Sequence, residues 1–367
     1  MTLPPASSSY AQAQAEALAA QSSVLSKLSA RQLAGQRVIY SYTGYTVPTS
    51  LISQISHGQA AGVIFFKGNY QDRSQFTAVV KELEKANASA DNPVHYPLLL
   101  MTDQEGGEVR RLPGQPVLSE KQIGQIKPLS AAGAAARTAG SGAAANLRSY
   151  GLNVNLAPVL DVYRKPGDFD DQYGRSYSMN AHVVSALGAA FIGAQQSGHV
   201  AATAKHFPGL GAATADQNTD NEPVTINLSK STLQSRDEYP YRQAILAGVK
   251  LVMVSWAIYP AFDRKLPAGL SSTIVQGQLR KRLGFTGVTI TDSIGAGALN
   301  PFGSTQNRAV MAAQAGMELI LAASQYPNQG VLCVDGLETG YQHGTLGKKA
   351  FVAAVAQILA LRQSLPA

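Results

Sequence analysis

Four short segments of this 367-residue chain place side chains capable of chemistry at the end of an apolar run or, for Arg175, in the loop that follows one. They are Asp103 in TDQEGGEVRRL, Arg175 in GRSYS, Lys205 and His206 in AKHFPGLG, and Asp292 in TITDSIGAGAL. An ionised carboxylate is a pure hydrogen-bond acceptor, and long cations donate with charge assistance, so together they suit a ligand rich in polar atoms. Gly106 and Gly107 beside Asp103 suggest close backbone approach to something bound. Each residue also has a plainer reading. Asp103 and Asp292 are both placed to cap a following helix. A lone Lys or His is more often solvated or packed, and Lys205 at a strand end could form a Schiff base in an aldolase or isomerase barrel.

The elements that would carry these residues alternate. Short apolar strands are expected over residues 37–42, 62–67, 97–102, 154–158, 201–206, 251–256, 287–291 and 318–322. Helical periodicity falls between them, over 49–56, 73–86, 131–150, 181–197, 230–247, 272–283 and 306–315, with a last helix over 350–363. Eight right-handed parallel crossovers close into an α/β fold, a single-domain (β/α)8 TIM-type barrel, with an open doubly wound sheet as the fallback. Residues 1–35 are read as an N-terminal linker and helical extension, with low-specificity helix over 10–34, and residues 36–367 as the barrel. In such a barrel, functional residues stand at the carboxyl ends of the strands, where all four segments fall.

Composition narrows the function. The 30 Lys and Arg against 23 Asp and Glu leave a formal charge of +7, but no basic cluster interleaves with aromatics as nucleic-acid binding would want. Cys333 is alone, so there is no internal disulfide and no zinc signature. No GxxxxGK[ST] loop is present, and Gly295 and Gly297 do not complete a GxGxxG, so neither nucleotide nor other cofactor is implied. No apolar run reaches the roughly twenty residues of a membrane span. The opening, with Pro4, Pro5 and Ser7 to Ser9, fits a linker left after removal of an export signal or lipid anchor, which points to secretion or the cell envelope. A cytoplasmic location stays open.

Taken in order from about Gln36 onward, with VMVSWAIYPAFD on the sixth strand and LGFTGVTITD leading into the seventh, these motifs resemble glycoside hydrolase family 3. The likeness is strongest to its bacterial β-N-acetylglucosaminidase branch, which consists of the barrel alone. The resemblance implies a β-linked amino sugar or glucoside as substrate. It makes Asp292 the nucleophile of a retaining mechanism, Asp103 an acceptor for sugar hydroxyls, and Arg175, Lys205 and His206 donors to sugar oxygens.

The chain departs from that branch in the loop after the fifth strand, KHFPGLGAATADQNTDNEP. There the branch carries its acid/base as a His two positions after an orienting Asp. Asp216 stands at the Asp position and Asn218 at the His position, and an amide cannot give and recover a proton near neutral pH. Leu210 replaces a second His, and Trp256 stands where a His is common, either as a stacking platform for a sugar or as core. Two accounts follow: another acid among Asp216, Asp220, Glu222, Asp168, Asp170 and Asp171 has taken over, or the domain binds sugar without efficient turnover. Where no other acid has taken over, Asn218→His beside Asp216 is expected to raise activity on substrates with poor leaving groups, provided the loop holds the ring towards the pocket; no gain would point to another acid.

Overall fold

The computed structural model describes residues 6–366. Met1 to Pro5, on which part of the trimmed-linker expectation rests, lie outside the described residues. Eight parallel strands close into a barrel: β1 Val38–Tyr40, β2 Gly62–Phe65, β3 Leu99–Thr102, β4 Val154–Asn155, β5 Ala201–Phe207, β6 Leu251–Val254, β7 Val288–Ser293 and β8 Leu319–Leu321. Each pairs with its neighbours in sequence, and β8 closes on β1. All eight fall at the segments expected from sequence. The strands are near-continuous Val, Ile and Leu runs because both of their faces are buried.

Two apolar layers result. Ile39, Ile64, Met101, Leu156, Met253 and Ile290 fill the barrel interior, with Leu361 and Leu365 from the last helix packed against that layer. The larger layer lies between strands and surrounding helices. Small residues set the closest helix contact, between Leu129–Ser149 and Ala181–Ser197. A Cβ on Gly140 would lie 2.3 Å from the Phe191 carbonyl oxygen, so only glycine allows that approach.

The helices depart from expectation in places. The N-terminal stretch forms Ala6–Leu25 and, behind a Ser29–Gln32 capping box, Ala30–Gly35. The first of these lies on the final helix, with Tyr10 donating to Glu318 and Gln21 to Gln363. The segment expected as one helix over 230–247 breaks into Lys230–Thr232, a wide turn through Leu233–Asp237, and Tyr239–Leu246 with Pro240 near its start. Pro327–Gln342 is a further helix where no element is expected from sequence, because Gly330, Gly336 and Gly340 dilute its periodicity.

After β3 the chain makes a hairpin, Gln104–Gly106 with Val109–Arg110. Gly106 and Gly107 adopt φ of +114° and +56°, and a Cβ on either would strike the 118–119 backbone or side chain. The close approach expected at these glycines is therefore to the chain itself, and it folds the hairpin over the barrel mouth.

Candidate active site

The carboxyl ends of the strands open into a pocket of about 700 Å³. Asp103, Arg175, Lys205, His206, Asn218 and Asp292 all line it. Five elements supply them: the ends of β3, β5 and β7, the loop through Phe169–Gln172, and the loop after β5.

A buried ion network forms the wall. Lys205 Nζ lies 2.7 Å from Asp103 Oδ1 and 2.8 Å from Glu105 Oε1. Arg175 engages both Glu105 oxygens at 3.0 Å through Nε and NH2, and Asp170 Oδ1 at 3.1 Å through NH1. Burial alone would raise Glu105, but Arg175 and Lys205 hold it down to about 2. Asp103 and Glu105 raise Lys205 against its burial, so the ammonium stays charged. Lys205 and Arg175 thus reach the pocket already oriented by carboxylates.

His206 is set from behind. Its Nδ1 lies 2.8 Å from Asp161 Oδ2, and Asp161 also accepts the N–H of Leu210 at 2.5 Å and of His206 at 3.2 Å. Burial, with Arg175 nearby, pulls the ring down to about 4 and makes it neutral at pH 7. With Nδ1–H directed at Asp161, Nε2 presents a lone pair to the pocket, so His206 would accept from a hydroxyl rather than donate as expected. Burial raises Asp161 to about 6 and Asp170 to about 7, where the charge of Asp161 adds to the effect. Asp170 Oδ2 is buried with no donor recorded, which a proton shared between the two carboxyls explains. Asp161, Asp170 and His206 have ligand atoms within 4.8 Å of one another, a spacing compatible with a metal ion, but their hydrogen bonds to each other, to backbone and to Arg175 already commit them.

Asp292 ends β7, and one carboxylate oxygen accepts the Ser293 N–H at 2.7 Å. Burial raises its carboxyl, His206 and Lys205 draw it down, and the charge of Asp220 pushes it up. It caps no helix, since the chain continues into a turn before Gly297–Phe302.

Two expected site residues are not brought in. Asp216 is exposed and off the pocket lining, its carboxylate accepting the Thr214 hydroxyl at 2.5 Å, a bond that lowers it. Trp256 is 1% exposed, donates Nε1–H to the Ser293 carbonyl at 2.8 Å, and packs against Gly269. It is core behind the Asp292 strand and offers no face for stacking. Asn218 lines the pocket, but its Oδ1 is occupied by the Asp220 N–H at 2.8 Å. Leu210, in place of the second His, is a buried wall residue. The sequence reading missed Glu105, Asp161 and the rim aromatic Tyr173. Only the position of Glu105 two residues after Asp103 hinted at its role.

Comparison with known proteins places this geometry. Residues 32–361 match the glycosyl hydrolase family 3 N-terminal domain. An uncharacterized secreted glycosyl hydrolase of Arthroderma benhamiae is 44% identical over 335 residues, 91% of this chain and 93% of that protein. A β-hexosaminidase of Nitrosomonas eutropha is 34% identical over 73% of this chain and 75% of its own length. The solved structure of a family 3 β-N-acetylglucosaminidase from Paenibacillus sp. superimposes with a TM-score of 0.84 at 33% identity. That match takes in 92% of this chain, which spans 62% of the length of the solved one.

Proposed function

The chain belongs to glycoside hydrolase family 3, and from that premise we propose that it is a retaining β-glycosidase releasing β-linked N-acetylated amino sugars, with Asp292 as nucleophile. One observation carries the reading: Asp103, Arg175, Lys205 and His206 converge on one pocket with Asp292, three of them held there by buried partners. A pocket of acceptors and donors in fixed positions suits a ring of hydroxyls, with Asp103 and the Nε2 lone pair accepting and the cations donating. Asp292 would attack the anomeric carbon through an oxocarbenium-like transition state and hold the sugar as an ester. The secreted relative favours work outside the cell or at its envelope.

The second reading, a sugar-binding protein with little turnover, draws on Asn218 and on Asp216 lying off the pocket. The two separate in a panel of nitrophenyl β-glycosides of N-acetylglucosamine, N-acetylgalactosamine and glucose, run with wild type and Asp292→Asn. Fastest turnover on the N-acetylhexosaminides, with retained anomeric configuration and its loss in Asp292→Asn, is expected. Binding without hydrolysis of any glycoside would favour the second reading.

A further inference from the structure

We propose that Asp220 is the general acid and base of this site and that Asn218 positions it. The assignment rests on Asp292 being the nucleophile. Asp220 lines the same pocket as Asp292, Arg175 and Lys205. The other carboxyls of these two loops are excluded by their surroundings. Asp216 and Glu222 lie off the lining, whereas Asp220, exposed like them, borders it. Asp168 caps the Arg164 and Lys165 N–H groups, Asp171 holds Lys121 and the Gly167 N–H, and Asp170 holds Arg175.

The turn carrying Asp220 is fixed from two sides. Asn218 Oδ1 accepts the Asp220 N–H at 2.8 Å, and the Asn218 carbonyl accepts those of Asn221 and Glu222 at 3.1 Å. From the opposite side, the Gly297 N–H donates to the Asp220 carbonyl at 2.7 Å and the Ala298 N–H to that of Thr219 at 3.0 Å. Gly297 follows Asp292 by five residues, and a Cβ there would fall 2.0 Å from the Asn221 carbonyl oxygen. The acid loop therefore rests directly on the chain that leaves the nucleophile. An amide at position 218 is here an Asx-turn acceptor, a role that an imidazole in the same place would not fill in the same way.

Although the residue is exposed on one side, partial desolvation against the pocket raises the Asp220 carboxyl, and Asp103 adds to that against the pull of Arg175 and Lys205. Asp220 and Asp292 repel one another, so one of the two keeps a proton, and the first step requires that it be Asp220. In the first step Asp292 bonds to the anomeric carbon, the glycosidic C–O bond breaks with its electron pair going to the leaving oxygen, and that oxygen takes the proton of Asp220. In the second, the Asp220 carboxylate takes a proton from water, the water oxygen bonds to the anomeric carbon, and the ester to Asp292 breaks, restoring both carboxyls.

The test compares Asp220→Ala, Asp220→Asn, Asn218→Ala and Glu108→Gln, the last because Glu108 also borders the pocket from the exposed hairpin turn. The substrates are a dinitrophenyl β-N-acetylglucosaminide, whose leaving group needs no proton, and the β-1,4-linked disaccharide of N-acetylglucosamine. Both Asp220 variants should lose roughly 10²–10⁴-fold on the disaccharide and far less in the first step on the dinitrophenyl glycoside. Azide should speed their turnover and yield a β-glycosyl azide, and the alkaline limb of the pH profile should vanish. Asn218→Ala should lower kcat on the disaccharide with little change in KM and shift that limb. Equal losses on both substrates without azide product, or the leaving-group dependence in Glu108→Gln instead, overturns the assignment of Asp220. Wild-type turnover in Asp292→Asn would instead overturn the nucleophile, a separate result read from a separate variant.

Discussion

Glu105 Oε1 lies 2.8 Å from Lys205 Nζ, and both side chains are 2% exposed or less. Glu105 is thus the anion on which Lys205 and Arg175 both depend, although it does not line the pocket itself. Removing one partner from a buried charge cluster leaves the others uncompensated, at a cost of about 3–5 kcal/mol. Glu105→Ala should therefore lower unfolding stability by that order and weaken binding of N-acetylglucosamine, measured by denaturant titration and calorimetry. Asp103→Ala removes an acceptor in a partly exposed position, so it should leave stability nearly intact and weaken sugar binding by roughly 1.5–3 kcal/mol. Equal stability losses in the two variants would mean that Glu105 carries no special share of the network.

The carboxyl pair behind His206 should govern the stability profile in acid. Asp161 and Asp170 sit at about 6 and about 7 in the folded chain, above the ordinary value of an Asp. Their contribution is fully present below about pH 4 and is lost as pH rises through about 6 to 7. His206, drawn down to about 4, works oppositely: its contribution is present above about 6.5 and lost as pH falls through 4. Two groups outweigh one, so this cluster favours the folded state less at pH 7.5 than at 4.5. In Asp170→Asn the like-charge repulsion is gone, and the difference in unfolding free energy between pH 4.5 and 7.5 should shift towards greater relative stability at 7.5. An unchanged slope would show that the pair does not titrate in this range.

Much of this was readable before any coordinates. The eight strands were legible because runs such as VIY, LLMT and LVMV are buried on both faces and need no alternation to be recognised. The residues Asp103, Arg175, Lys205, His206 and Asp292 were legible because a barrel of this kind exposes chemistry at strand ends. What sequence could not supply was direction. Trp256 follows β6 just as a pocket residue would, yet its indole turns back to the Ser293 carbonyl. Asp216 and Asp220 are four residues apart in one loop, and it is contacts distant in sequence, from Gly297 and Ala298, that hold the Asp220 end of that loop at the pocket. Glu105 and Asp161 contact other side chains from off the pocket lining, and apart from the spacing of Glu105 from Asp103 such roles leave no local pattern.

Tyr173 offers a test of where a longer substrate runs. It is 44% exposed, borders the pocket, and is braced edge-on by Phe169 at a centroid distance of 5.7 Å. An exposed aromatic face held in place favours the apolar side of a second sugar ring, a contact taken to be of the same order as an aromatic pair, about 0.5–1.5 kcal/mol. Tyr173→Ala should raise KM for the N-acetylglucosamine disaccharide about two- to tenfold while leaving affinity for the monosaccharide unchanged, as steady-state kinetics and calorimetry would show. Parallel losses for both would place the ring of Tyr173 against the first sugar instead.

Replacing Asn218 by His discriminates most sharply between the expectation drawn from sequence and the geometry. From sequence, the substitution restores an Asp–His dyad and should raise activity on poor leaving groups. In the structure, Asp216 is exposed and bound to Thr214, off the pocket lining, so it stands poorly placed to orient an imidazole towards the substrate. The substitution also removes the Oδ1 that accepts the Asp220 N–H. Losing that acceptor loosens a turn whose other side is pinned by Gly297, so the Asp220 carboxyl should spread over several positions and protonate the leaving oxygen less often. The expected outcome is a fall in kcat of roughly tenfold or more on the disaccharide, with KM and the first-step rate on the dinitrophenyl glycoside nearly unchanged. Gly297→Ala, which presses a Cβ into the Asn221 carbonyl from the opposite side, should produce the same split. A rise in disaccharide turnover in Asn218→His would instead show that the loop can turn Asp216 inward and that the restored ring carries the proton.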